Sequence, residues 1–282
     1  MMTSREVFCE IMSENQSDAP NVKTVKKVAV ELARAYHLDQ PRLEIGLDEA
    51  GRGPLFGRLF VGGVVLPFRG GVGGEGAVDD FRYDWMKDSK KFYSHQKRAE
   101  VAAYIRENAL AYHVAFVEAS EIDDINILNA VYKGMHECVR EIAGQLRAKG
   151  LDGGGGLWKE KEGMFLLVDG NLFEPVMEWN GATDRYEIPD FITVEGGDNK
   201  YCSIAAASIL AKVAHDEYIL GMCRDYPELE TRYGLLKGMG YATKAHLEGI
   251  RKHGISQWHR RTFGMNCRNA ALCPVTLGGV VG

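Results

Sequence analysis

No two of the six cysteines, at positions 9, 138, 202, 223, 267 and 273, have the CxxC spacing of a redox or zinc site, and they are thinly spread through 282 residues. The sequence therefore offers no disulfide framework and no thiolate cage, and reduced thiols in a cytoplasmic protein are expected. Residues 1–20 hold no apolar core of signal-peptide length, and nowhere do eighteen apolar residues follow one another, so neither export nor membrane insertion is expected. Positive charge is also short: 34 Lys and Arg against 39 Asp and Glu leave a net charge of -5 and a pI of about 5.9. A general nucleic-acid coat needs a positive excess to displace counterions from phosphates. Any nucleic-acid contact must here come from clustered basic residues. No internal repeat is present either. What remains, 45% hydrophobic and 26% charged residues, is an ordinary globular composition, with length for one large domain with additions or two small ones.

Val25, Val28, Leu32 and Tyr36 recur at helical spacing and predict a helix over 22–36, ended by Pro41, within an N-terminal extension spanning 1–41. Leu43, Ile45 and Leu47 alternate as a strand that delivers Asp48 at its end, and a second strand covers 59–66. Five glycines between Arg69 and Gly76 predict a flexible hairpin insertion. Then follow a helix from Ser94 to about Leu110, a strand over 112–117 and a long helix over 126–148. After a second glycine-rich insertion at 153–156, a strand over 164–168 ends at Asp169, and a short strand over 191–194 precedes Gly196, Gly197 and Asp198. A helix from Cys202 to about Met222 opens with Ala205, Ala206 and Ala207, which predict close packing. Strands first adjacent and then separated by helices predict an α/β domain, a mixed β-sheet flanked by helices. The C-terminal part is mainly helical, with Thr243 and Gly254 capping a helix over 245–253. The expected boundaries are a catalytic domain over 42–265 and a tail over 266–282.

Asp48, Glu49, Asp169 and Asp198 each follow an apolar strand or a Gly-Gly turn after one, which invites convergence at one sheet edge. Four such carboxylates repel one another unless cations join them. With no histidine among them, hard oxygen ligands favour Mg²⁺ or Mn²⁺ over zinc. Two such ions, typically about 3.5 to 4 Å apart, activate a water and stabilise the leaving oxygen of a phosphodiester displacement. Taken singly, each acid is more readily a surface residue at a strand end, and Asp190 competes for the fourth place. Two glycines in Gly51-Arg52-Gly53 let backbone N–H groups approach a sugar-phosphate chain, with Arg52 as a cationic fork; the same residues also suit a plain tight turn.

The string LDEAGRGPLFG at 47–57 resembles the signature of ribonuclease HII. The likeness continues in order through Asp88-Ser89-Lys90, Asn126 to Leu128, VDGN at 168–171, GGDNKYCSIAAASILAKVAHDE at 196–217, YGLLKGMGYATKAHL at 233–247 and HRRTF at 259–263. The resemblance implies a ribonuclease H-like fold with Asp48, Glu49, Asp169 and Asp198 as catalytic metal-binding acids. It implies a loop at Gly51, Arg52 and Gly53 that senses a ribose 2′-hydroxyl, the group that separates RNA from DNA, and Tyr241 supporting the sugar at an RNA-to-DNA junction. The implied activity is hydrolysis of the RNA strand of RNA/DNA hybrids and incision at ribonucleotides embedded in duplex DNA, leaving 5′-phosphate and 3′-hydroxyl ends, by a monomer. Lys90, Lys91, Lys212, Lys237, Lys244, Arg260 and Arg261 are candidate phosphate contacts, Lys90 and Lys212 foremost because they lie inside matched motifs. His215, His246 and His259 are expected to pack or cap rather than catalyse.

Three residues depart from the family pattern: Phe56 and Arg58, where a small residue and proline are usual, and Met239, where lysine is common. They are expected to bear on substrate fit. Ribonuclease HIII, the neighbouring family, is expected to carry a glutamate where this chain has Arg52, together with a separate N-terminal binding domain. A non-catalytic protein that binds hybrids or junctions is the reading from another class, and the intact acids speak against it.

Overall fold

The structure, a computed structural model, describes residues 31–38, 42–67, 81–87, 89, 92, 94–151, 163–180 and 184–276. Both glycine-rich insertions and most of the expected N-terminal helix lie outside them. Where that helix was expected to end, the described residues are not helical. Ala33 N–H donates to Lys200 O, Cys202 N–H donates to Ala33 O, and the N–H groups of Tyr36 and His37 donate to the Glu44 carboxylate. Donors committed to those partners cannot also close helical turns, so tertiary pairing overrides the apolar spacing.

The sheet forms from the apolar strands that the sequence marks, the second of them buried along its whole length. Strands β1 (Glu44–Ala50) and β2 (Leu59–Val65) pair antiparallel, α1 (His95–Asn108) follows with Ser94 accepting from Lys97 N–H as its N-cap, and β3 (Ala111–Val117) pairs antiparallel with β2. A short α2 (Ala119–Ile125), unforeseen in the sequence, leads into α3 (Ile127–Ala148), capped by the Asn126 side chain. Strand β4 (Phe165–Asp169) then lies parallel to β1. A small hairpin of β5 (Glu178–Asn180) and β6 (Arg185–Glu187) precedes β7 (Asp190–Val194), parallel to β4. The five-stranded order is β3-β2-β1-β4-β7, a mixed sheet as expected.

Helix α3 buries Val131, Met135, Val139, Ile142 and Leu146 against Ile45, Leu47, Val61 and Ala115. On the other face lies α4 (Cys202–Asp225), with α1 beside it. Its Ala205, Ala206 and Ala207 are fully buried, and the strands answer with glycine. A Cβ at Gly46 would meet the Ser203 and Ile204 backbone, and one at Gly62 would meet the Ala207 carbonyl. Small residues on both surfaces thus let the helix backbone rest on the sheet. The chain closes with α5 (Pro227–Tyr233), α6 (Leu235–Gly238), α7 (Lys244–His253), capped by Thr243, and α8 (Gly264–Arg268). These pack a further core around Phe56, Ile219, Leu229 and Tyr233. No described helix is long and apolar enough to cross a membrane.

Because helix and sheet meet backbone to backbone at Gly62, Gly62→Val is expected to lower the unfolding free energy in urea by about 1–3 kcal/mol. An unchanged midpoint would contradict so close an approach.

Candidate active site

Parallel β1 and β4 are in register with Gly46 opposite Leu167 and Leu47 opposite Val168. One step further along, each strand carries an acid, Asp48 and Asp169. Strand alternation turns Asp48 to the side of Gly46 and Asp169 to the side of Leu167, which packs on Ile204 of α4. Both acids therefore face α4, while Glu49 projects to the other side of β1. Asp48 is buried, and its pKa is raised well above the usual carboxylate range by loss of hydration first, then by the charges of Asp169 and Glu49. A hydrogen bond with the Ser208 side chain, and one from Glu49 N–H to Asp48 Oδ1 at 2.7 Å, act in the opposite sense. Glu49 is raised too, by burial first, with Asp169 adding to the effect and Arg52 opposing it through a 3.3 Å contact from Nη1 to Oε1.

Asp169 Oδ1 accepts from Gly197 N–H at 2.6 Å, which fastens the turn Gly197–Asn199 to the end of β4. Asp198 sits buried in that turn, its Oδ1 accepting from Asn199 Nδ2 at 2.9 Å. Asp190 opens β7 opposite Phe165, at the far end of β4, and is ion-paired with Arg42 at 2.8 Å. The structure thus brings Asp48, Glu49 and Asp169 into electrostatic range, joins the Asp198 turn to Asp169, and leaves Asp190 apart. Among the described residues, no three His, Cys, Asp or Glu side chains are gathered so as to hold one metal ion. The donor chemistry does fit a hard divalent cation. All four candidates offer carboxylate oxygens, and the pKa values of Asp48 and Glu49, raised by burial first and by neighbouring acids second, mark poorly hydrated carboxylates that a cation would stabilise. Mg²⁺ commonly keeps waters and takes few protein carboxylates, so a complete protein cage is not required.

The loop that leaves β1 turns at Gly51, whose φ of 85° is open to glycine at little cost. A Cβ there would also come within 2.7 Å of the His215 ring. Arg52 is exposed, and Gly53 lies so close to Tyr241 that an added Cβ would stand 3.3 Å from its ring. Loop and tyrosine, distant in sequence, are therefore in contact, and Tyr241 is 45% exposed.

The basic candidates divide. Lys212 donates to Asp216 at 2.6 Å, so its charge is committed within the fold, and Arg260 is fully buried rather than presented to a phosphate. Lys237, Lys244 and Arg261 are exposed, whereas Lys90 and Lys91 lie outside the described residues. The departures have other partners: Phe56 is core, and Arg58 stacks over Phe116 and Tyr218 while pairing with Glu118 at 2.5 Å. Met239 takes a left-handed conformation, φ 46°, beside the C-terminal core. Missed in the sequence were Ser208, Asp216 and Arg98. Ser208, Lys212 and Asp216 share one helical face at i, i+4 and i+8, a spacing that marks a polar stripe toward β1.

A carboxyl whose folded pKa is raised holds its proton more tightly when folded. The stability it contributes is present at acid pH and is lost as pH rises through that folded value. Ionised Asp48 therefore costs stability at neutral pH without metal. Asp48→Asn in EDTA is expected to raise the melting temperature by about 2–4 °C, the shift that about 1 kcal/mol gives in a chain of this size. A lower melting temperature would contradict the cost of burying an ionised Asp48 beside other acids.

A sequence profile described as ribonuclease HII matches residues 45–152 and 171–266. The ribonuclease HII of Parabacteroides distasonis is 37% identical over 227 residues, covering 80% of this chain and 92% of that protein. That of Chlorobium phaeovibrioides is 40% identical over 229 residues, covering 80% and 92%. In solved structures, the PCNA:RNase HII complex from Archaeoglobus fulgidus includes a chain similar in fold, with a TM-score of 0.51, 24% identity and coverage of 77% of this chain and 92% of that one. The matched segments contain the β1 acids, the loop after them, the Asp198 turn and Tyr241, and on the length and identity of these matches the chain belongs to the ribonuclease HII family.

Proposed function

We propose that this ribonuclease H hydrolyses the RNA strand of RNA/DNA hybrids and also incises duplex DNA at embedded ribonucleotides, leaving 5′-phosphate and 3′-hydroxyl ends. The observation that carries the reading is the direct succession, on one strand and its loop, of the buried Asp48, the half-buried Glu49 and the Gly51–Gly53 turn against Tyr241. The acids suit phosphodiester hydrolysis, and the loop beside them suits the detection of a ribose.

Asp48, Glu49, Asp169 and Asp198 would hold Mg²⁺ or Mn²⁺, two ions with substrate bound. When present, such ions polarise the phosphodiester and make water a better nucleophile. The chain's own residues position the substrate. Gly51 and Gly53 bring backbone close to the sugar, Arg52 offers its guanidinium to phosphate, and the Tyr241 ring packs on the sugar beside Gly53; Lys90 is a further candidate phosphate contact. Water adds to phosphorus as the bond to the 3′-oxygen breaks. That oxygen takes up a proton, which accounts for both product ends. The catalytic unit in this reading spans 42–265 and acts as a monomer. Among the described cysteines, Cys138, Cys202, Cys223, Cys267 and Cys273, none is joined in a disulfide, which suits a reducing, cytoplasmic setting.

A duplex bearing one ribonucleotide is expected to be cut with Mg²⁺ or Mn²⁺ and left intact in EDTA. Asp48→Asn and Asp169→Asn are each expected to lose roughly 10³-fold in rate, as several kcal/mol of transition-state stabilisation requires. Metal-independent cutting, or full activity in both variants, would sink the mechanism.

A further inference from the structure

Arg260 belongs to the HRRTF string, where sequence suggests a phosphate contact, yet its side chain is 0% exposed. Nε donates to Gly57 O at 2.9 Å, Nη1 to Arg52 O at 3.2 Å and Nη2 to Gly51 O at 2.7 Å, while its backbone N–H donates to Leu55 O at 2.8 Å. One planar guanidinium thus grips three carbonyls of the loop after β1. Its pKa is pushed down to about 10 by burial, so it stays cationic at neutral pH. A trans peptide points its C=O and N–H in opposite directions, and the described chain has no cis bond. With Gly51 O and Arg52 O drawn inward, the N–H groups of Arg52 and Gly53 must point outward. Both N–H groups are left available to a ligand on the outer side of the loop.

Next to Arg260 runs a second buried device. Ser256 N–H donates to His259 Nδ1 at 3.0 Å, which makes that nitrogen an acceptor and leaves the ring proton on Nε2. His259 Nε2 lies 3.0 Å from His246 Nε2, so His259 donates and His246 accepts there. The His246 proton then resides on Nδ1, 2.9 Å from Tyr241 O, to which it donates. The relay has only one direction, and it requires both rings to be neutral. Burial lowers the pKa of both, and His259 falls to about 3. Leu55 N–H donates to Gly240 O at 2.9 Å, tying loop and tyrosine segment together.

We propose that Arg260 and the His259–His246 pair are positioning residues for ribose recognition: Arg260 turns the Arg52 and Gly53 N–H groups toward the nucleic acid, and the imidazole pair fixes the Tyr241 backbone so that its ring stays against Gly53. The proposal rests on the reading of that loop and Tyr241 as the ribose-recognising surface. It adds that recognition is set from beneath, by residues that never touch substrate.

The test measures affinity for a duplex with one ribonucleotide and for its all-DNA counterpart, by fluorescence anisotropy in Mg²⁺. The full chain carries Asp169→Asn so that the duplex stays intact. Arg260→Met and His246→Leu are expected to lower the ratio of the two affinities at least tenfold. Arg260→Lys, which keeps the charge but cannot bridge three carbonyls, is expected to lower it at least threefold. His246→Asn retains a donor toward Tyr241 O and is expected to restore most of the ratio. Melting temperatures are taken alongside, since a merely structural role lowers them without altering the ratio in folded protein. If Arg260→Met does not fold, Arg260→Lys and the two His246 variants decide the matter, and an unchanged ratio in Arg260→Lys and His246→Leu overturns the proposal. Tyr241→Ala separates the two levels. A ratio untouched by Tyr241→Ala removes the underlying reading, whereas a ratio lost in Tyr241→Ala but kept in the others removes only the inference.

Discussion

Asp48 and Asp169 end neighbouring parallel strands, and burial strips Asp48 of the water that would screen its charge from that of Asp169. Much of the surrounding structure serves to tolerate that repulsion. Glu49 N–H and the Ser208 side chain bond to Asp48, Gly197 N–H bonds to Asp169, and Arg52 leans on Glu49. Each offsets part of the electrostatic cost without neutralising the pair, so a region of concentrated negative potential survives at the sheet edge. Such a region has little value to a resting fold and considerable value to one that must recruit cations next to a phosphate.

Helix α4 links this constraint to packing. Its alanines let the backbone settle on Gly46 and Gly62, and that approach brings Ser208 within reach of Asp48. Farther along the same helix, Asp216 receives Lys212 at 2.6 Å, Arg98 at 3.1 Å and His215 Nδ1 at 3.1 Å. Burial opposes ionisation of Asp216, but the hydrogen bonds from His215 and Lys212 prevail and hold its pKa below the ordinary value. Arg98 also donates to Ser89 O, and Ser89 Oγ meets Ser208 Oγ at 3.0 Å. The His215 ring backs Gly51, and its Nε2 has no hydrogen-bond partner among the described residues. A continuous set of contacts therefore runs from the buried acid, along one helix, to the underside of the loop.

Much of this was legible in the sequence because it rests on local pattern. Alternating apolar residues announced β1 and a continuous apolar run announced β4, and the acids that end them were visible as such. Thr243 caps its helix as its side-chain chemistry predicts, and Ser94 and Asn126, read from the sequence as first residues of helices, are their N-caps. What escaped depends on tertiary partners. Residues 31–36 have helical spacing, yet their backbone donors go to Lys200 and Glu44. Lys212 and Arg260 look like phosphate ligands by residue type, and only the fold reveals that one is spent on Asp216 and the other on three carbonyls. Phe56 and Arg58 stood out as departures near the loop, but the first fills the core and the second stacks on Phe116. Charge type is written in the chain; whether a charge faces water is decided by what packs over it.

The central claim is that acids which hydrolyse a phosphodiester are coupled to a neighbouring surface that demands a ribose. The most direct measurement compares cleavage rates for two duplexes identical except for one 2′-hydroxyl, with the same protein, metal and salt. The account predicts cutting beside the ribonucleotide and none at the matching position of the all-DNA duplex. Equal cutting of both would contradict it.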